Sequence, residues 1–189
     1  NAINRARLVR SGITDVLTGW NNRRYLQNRL LEELARAQRN DTSLACLLID
    51  VDHFKSVNDN FGHLAGDFVL KEIADRVEAQ VRASDVAARY GGEEFALLLP
   101  DTRARDALIL AERIREAIDL GPVVLDSGQR IPVTVSIGIS SVRPARSAAD
   151  LKSLGEKLIA EADGSIALES PGDLSINKVR AGGDVLLKA

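Results

Sequence analysis

The chain has 189 residues, 45% apolar and 28% charged, with a formal net charge of −2, one cysteine and no methionine. That profile fits one ordinary soluble globular domain with a sizeable core. It gives no electrostatic case for binding long nucleic acid, since no basic run is interleaved with aromatics. No apolar run reaches membrane-helix length, and no basic-then-apolar leader opens the chain. The start at Asn1 and the lack of methionine lead us to expect a piece of a longer protein, with residues 1–13 as the end of a helical stalk or linker from an upstream domain and residues 14–189 as the domain itself.

In chain order, residues 22–39 carry Tyr25, Leu26, Leu30, Leu31 and Leu34 at helical spacing, closed by the breakers Asn40-Asp41-Thr42-Ser43. An apolar run from Leu44 to Ile49 then reads as a buried strand that ends in Asp50-Val51-Asp52. Cys46 lies inside that run, so it reads as a buried thiol and not as a disulfide partner or metal ligand, which suits a reducing cytoplasm. Phe68, Val69, Ile73, Val77 and Val81 recur at helical spacing. A hairpin follows, its arms at 86–90 and 95–99 flanking Gly91-Gly92-Glu93-Glu94. Ala107, Leu108, Leu110, Ala111, Ile114 and Ile118 mark another helix, residues 131–140 alternate like a strand, and a last helix covers about 148–168. This order, without repeat or internal linker, predicts an α+β domain whose sheet has helices packed on one face.

The chemistry concentrates at two acidic groups. Either alone reads as an exposed turn or a plain hairpin. Together, two strand ends that each deliver a carboxylate offer hard oxygen ligands for Mg²⁺ while leaving room for phosphate oxygens, which points to nucleotidyl transfer. Strand alternation sends Glu93 and Glu94 to opposite faces, so only one easily meets Asp50, and Glu93 is the choice. A calcium EF-hand loop is excluded because Phe54 fills its third ligand position, with Phe61 and His63 where later ligands belong. Asn58 and Asp67, in the segment after the acids, supply an amide and a carboxylate able to hydrogen-bond a ligand. Their bland alternatives are a turn or cap for Asn58 and a helix start for Asp67.

The chain resembles the GGDEF domain of diguanylate cyclases, which join two GTP into cyclic di-GMP. The resemblance rests on four ordered blocks: Asp15-Val16-Leu17-Thr18-Gly19 with Asn22-Arg23-Arg24; Asp50-Val51-Asp52-His53-Phe54-Lys55 with Asn58-Asp59, Gly62-His63 and Gly66-Asp67; Arg89 to Phe95; and Val133-Thr134-Val135-Ser136-Ile137-Gly138. It implies a palm-like, ferredoxin-related nucleotidyl cyclase fold with a central, mostly antiparallel sheet flanked by helices. It also implies that Asp50, the Val51 carbonyl and Glu93 bind Mg²⁺, or Mn²⁺ in its place, with Glu93 the base that deprotonates the attacking 3′-hydroxyl. By the same resemblance Asn58 and Asp67 read guanine, His63 and Phe54 belong to the nucleotide site, and Lys55 lies near the phosphates.

Arg82-Ala83-Ser84-Asp85 has the spacing of the family's inhibitory product site, with Arg113 as an assisting arginine; the plain alternative is solvated charge after a helix end. One domain that holds one GTP cannot close a cyclic dimer, so catalysis calls for a transient homodimer. The C-terminus departs from the family. Ala162-Asp163 opens the expected motif, but Ile166-Ala167 and the breaker Glu169-Ser170-Pro171-Gly172 replace its continuation, leaving Lys178 and Arg180 as displaced candidates for the phosphates. A non-catalytic cyclic di-GMP receptor is the alternative reading.

Overall fold

The computed structural model describes residues 12–164 in full and residues 175–179 and 185–188 as backbone strands. The sequence expectations for residues 1–11, Arg180 and the side chain of Lys178 lie outside the described residues. The elements are β1 (Asn21–Asn22), α1 (Arg23–Asn40), β2 (Leu44–Val51), α2 (Phe54–Phe61), α3 (His63–Glu78), β3 (Val86–Arg89), β4 (Glu94–Pro100) and α4 (Ala104–Asp119). A two-stranded ribbon of β5 (Val123–Val124) and β6 (Arg130–Ile131) follows, then β7 (Val135–Val142), α5 (Leu151–Ala162), β8 (Ser175–Val179) and β9 (Val185–Lys188).

The sheet order is β1-β3-β4-β2-β7-β8-β9, antiparallel at every step except the parallel pair β1 and β3. β2 is therefore interior, with β4 and β7 on its two sides. Ala45, Leu47, Ile49 and Val51 pack beneath α2, α3 and α4, whereas Leu44, Cys46 and Leu48 pack beneath α1 and α5. Helices cover both faces, which corrects the one-face expectation. The physical reason is legible in β2 itself, since an unbroken apolar run serves a strand buried on both sides and a one-sided strand alternates. Burial also pushes the Cys46 thiol up to about 12, leaving it inert at neutral pH.

Local chemistry sets the element ends. Asn22 caps α1 by accepting from the Tyr25 amide at 3.0 Å. Gly62, at φ +84°, joins α2 to α3 in a conformation that other L-residues rarely adopt. The alternating segment expected at 131–140 is divided: Ile131 belongs to the β5–β6 ribbon, and β7 begins only at Val135, beyond Pro132. The last helix is shorter than expected, running from Leu151 to Ala162, where Gly164 at φ +70° turns the chain away. A Cβ on Gly138 would lie 1.6 Å from the Ala162 carbonyl oxygen, so the bare backbone of β7 lets the end of α5 rest directly on the sheet. Among the described residues no helix is long and apolar enough to cross a membrane.

Candidate active site

Antiparallel pairing aligns the acidic strand end of β2 with the glycine turn. Asp50 is in register with Glu94 on β4 and with Ser136 on β7. Glu93 precedes β4, so strand alternation does not govern it; its carbonyl accepts from the Val51 amide at 3.3 Å. The Glu93 backbone thus lies beside the end of β2, next to the Asp50–Glu94 register pair. Lost hydration, then repulsion from Glu93, Glu94, Asp52 and Asp163, hold the Asp50 carboxyl above its ordinary value. A like-charged cluster of hard oxygens fits a divalent cation, which would relieve that repulsion. Among the described residues no group of three His, Cys, Asp or Glu side chains is arranged to hold a metal, and the expected donor set needs only two carboxylates and the Val51 carbonyl.

Asp52 has a different task. Its two oxygens accept from the Thr134 and Ser136 hydroxyls, each at 2.7 Å, and its amide donates to the Thr134 carbonyl at 3.0 Å. It braces the turn from β2 into α2, where His53 takes a left-handed φ of 56°. The Thr134-Val135-Ser136 alternation places two hydroxyls on one side of a strand, but only the β2–β7 register shows which acid they meet. A cavity of about 350 Å³ opens beside Asp50, Glu94, Ser136, Gly138 and Asp163. A second, of about 580 Å³, shares Glu94 and Asp163 with it and is lined further by Arg23, Tyr90 and Lys152. The Arg23 guanidinium stacks 4.4 Å over the Tyr90 ring. Volumes in this range suit a nucleotide. The nearness of Asp163 to Asp50 was not foreseen, because it depends on α5 docking at Gly138.

The segment after the acids is a helical hairpin, of which the sequence periodicity revealed only α3. Asn58, on α2, is half-buried, and its Oδ1 would lie 2.0 Å from a Cβ on Gly66. The missing side chain at Gly66 leaves room for the Asn58 amide, beside the exposed Asp67. His63, at the start of α3, and Lys55, in the first turn of α2, are also exposed. Phe54 is only 7% exposed, its ring packed under Gly66 in the core. Its side chain therefore supports this pair of helices.

Arg82, Asp85 and Arg113 converge away from the acids. They line a cavity of about 150 Å³ with Gln80, Asp106 and Leu110. Asp85 accepts from the Arg82 amide at 2.8 Å, and Arg113 donates to the Gln80 carbonyl. Arg82 and Asp85 also border a larger hollow of about 460 Å³ that reaches Trp20 and Glu78.

Comparison with known proteins agrees with this geometry. The family profile described as diguanylate cyclase, GGDEF domain, matches residues 12–166. The response regulator PleD of Caulobacter vibrioides is 47% identical over 130 residues, covering 68% of this chain and 29% of PleD. Diguanylate cyclase A of Treponema denticola is 42% identical over 144 residues, covering 74% of this chain and 38% of that protein. The chain thus spans less than two fifths of the length of these relatives. Among solved structures, the coiled coil and GGDEF domain of DgcB from Caulobacter crescentus, in complex with c-di-GMP, superposes with a TM-score of 0.77 at 27% identity, covering 86% of this chain and 83% of that one. With its profile match, its acids at paired strand ends and its α+β sheet, the chain belongs to the GGDEF domain family of diguanylate cyclases.

Proposed function

We propose that this domain condenses two GTP into cyclic di-GMP and two pyrophosphates. The observation that carries the reading is the β2–β4 register, which sets Asp50 beside the Gly91-Gly92-Glu93-Glu94 turn at the mouth of a nucleotide-sized cavity. Asp50, the Val51 carbonyl and Glu93 would hold Mg²⁺ or Mn²⁺, which when bound offsets charge on the phosphates. Glu94 competes for part of that role, because it and not Glu93 pairs with Asp50.

The chain's own groups do the rest. Glu93 takes the proton of the attacking 3′-hydroxyl, the 3′-oxygen displaces pyrophosphate from the α-phosphorus, and Lys55 offsets negative charge on the phosphoryl oxygens. The unpaired amides that open α2, at Phe54 and Lys55, suit the same oxygens. Asn58 and Asp67 read guanine with His63 nearby, and Lys178 is the remaining candidate for the terminal phosphates. Two domains face each other in a transient homodimer, so that each 3′-hydroxyl meets the other's α-phosphate.

Arg82, Asp85 and Arg113 bind the product and restrain turnover, their guanidinium groups pairing bidentately with phosphate or a guanine edge. An upstream sensory or regulatory domain and a cytoplasmic setting belong to this reading. The alternative, a cyclic di-GMP receptor without turnover, would use the arginine cavity, whose lining is separate from the acids. Incubating the protein with GTP and Mg²⁺ and identifying the product by mass decides between them. Cyclic di-GMP supports the cyclase; unchanged GTP together with saturable cyclic di-GMP binding supports the receptor.

A further inference from the structure

The chain segment that leads into α1 is tied to the catalytic turn through one arginine. Asp15 accepts from the Thr18 amide at 2.9 Å and from the Thr18 hydroxyl at 2.8 Å. Both of its oxygens also accept from Nη1 of Arg89, at 3.3 and 3.2 Å. The other edge of the same guanidinium, Nε and Nη2, donates to the Gly92 carbonyl at 3.2 and 2.7 Å. Arg89 and Asp15 are 17% and 22% exposed, so the pair is shielded from solvent on most sides. All three of its nitrogens donate, Nη1 to Asp15 and Nε and Nη2 to the Gly92 carbonyl.

The consequence falls on Glu93. The Gly92 carbonyl belongs to the peptide plane that enters Glu93, and the Glu93 carbonyl, held by the Val51 amide at 3.3 Å, belongs to the plane that leaves it. With both planes pinned, the two backbone torsions at Glu93 are fixed and its Cα–Cβ bond has one direction. Gly91 and Gly92 supply no such restraint themselves, because glycine leaves the backbone permissive. The Tyr90 and Gly91 amides, which donate to the Glu94 carbonyl at 2.8 and 3.2 Å, close the base of the turn without fixing its tip.

We infer that Arg89 is a positioning residue for the reaction, oriented by Asp15 and acting through the Gly92 carbonyl to aim the Glu93 carboxylate. This rests on the cyclase reading and on the role assigned there to Glu93. A simple structural ion pair would lower stability when broken. A positioning residue lowers kcat while fold and GTP affinity persist, since misplacing a reacting group by about 1 Å costs on the order of a hundredfold in rate.

The test compares the parent with Arg89→Ala, Arg89→Lys, Asp15→Asn and Glu93→Gln, all in the full chain. The readouts are kcat, KM for GTP, melting temperature, and Mn²⁺ binding without nucleotide by electron paramagnetic resonance. Arg89→Ala is expected to lose at least roughly tenfold in kcat with KM within about twofold, and to bind Mn²⁺ more weakly. Arg89→Lys is expected not to restore kcat, because one ammonium cannot serve Asp15 and the Gly92 carbonyl with the geometry of the guanidinium fork. If Arg89→Ala does not fold, Arg89→Lys carries the test: kcat lost with melting temperature kept supports the inference.

A parental kcat in the Arg89 variants, or a kcat loss matched by a collapse in melting temperature in every variant, overturns it. Restoration of kcat by lysine overturns it too, by reducing the contact to simple charge pairing. Glu93→Gln separates the two levels. If that variant keeps the parental rate, the role of Glu93 falls and the positioning inference with it; if it is inactive while Arg89→Ala and Arg89→Lys are not, the positioning inference alone falls.

Discussion

Asp50 and Glu94 are aligned by seven register pairs between β2 and β4, whereas Arg82, Asp85 and Arg113 reach their cavity from a turn after α3 and from the face of α4. The first arrangement is held by backbone hydrogen bonds along the whole length of two interior strands. The second depends on two exposed arginines and a half-buried aspartate around a small hollow. A site that must place a reacting atom gains from rigid strand ends, because reorganisation is complete before substrate arrives. A site that only has to bind can let its arginines order around the ligand, at a cost of about 0.5–1.5 kcal/mol for each side chain immobilised.

This contrast can be broken most sharply at the acids. Glu93→Gln should reduce cyclic di-GMP formation at least about a hundredfold, ~2.7 kcal/mol in barrier, with melting temperature little changed, because the side chain leaves a turn and not the core. Glu94→Gln measured beside it refines the assignment: a larger loss there than at Glu93 would move the principal role to the residue in register with Asp50. Asp67→Ser comes next. Removing the acceptor for guanine's N1 and N2 donors should cost ~1–3 kcal/mol of discrimination between GTP and ATP, read in a competition assay, and an unchanged preference would remove Asp67 from base recognition.

At the arginine cavity, Arg82→Ala should weaken cyclic di-GMP at least roughly tenfold by calorimetry without GTP, and raise late yield more than initial velocity. Equal affinity in parent and variant would assign Arg82 to solvated surface charge.

The smallest effects concern stability. Asp50 stands among Glu93, Glu94, Asp52 and Asp163 and is held above its ordinary value, lost hydration being the largest cause. Asp50→Asn should therefore raise the melting temperature of the metal-free domain by about 2–4 °C, the usual exchange of stability for function; a fall would show that the acids are not in conflict. Asp15 has the opposite sign. Burial pushes its carboxyl up, but hydrogen bonds from Thr18 and the charge and hydrogen bonds of Arg89 outweigh it, leaving the value lowered. Its contribution to stability is thus present above the unfolded-state value near ~4 and is lost as pH falls through the lowered folded value. The melting difference between parent and Asp15→Asn should shrink on acidification below that point, and a constant difference would contradict this.

Much of the fold was legible because strong one-dimensional patterns decide it. The apolar run at 44–49 and the spacing of Leu26, Leu30 and Leu34 correspond to β2 and α1. The same run is also the pattern of a strand buried on both faces, yet the order of elements suggested helices on one. α2 escaped because eight residues with three apolar positions, Phe54, Val57 and Phe61, give too short a window for periodicity. The acids were legible as a pair of strand ends. Their partners were not, since Ser136, Asp163 and Thr134 meet them only through the register of β7 and the docking of α5. Alternation is a rule for residues inside a strand, and β4 begins at Glu94, so it does not govern Glu93.

The central claim, that rigid strand-end acids make this a cyclase requiring two copies, is tested most directly by the initial rate of cyclic di-GMP formation across a series of protein concentrations, with product and pyrophosphate identified by mass. The account predicts two pyrophosphates per cyclic di-GMP and a rate per domain that rises with concentration until dimers are saturated. Absence of cyclic di-GMP at every concentration, or a rate per domain independent of dilution down to the fully monomeric range, would contradict it.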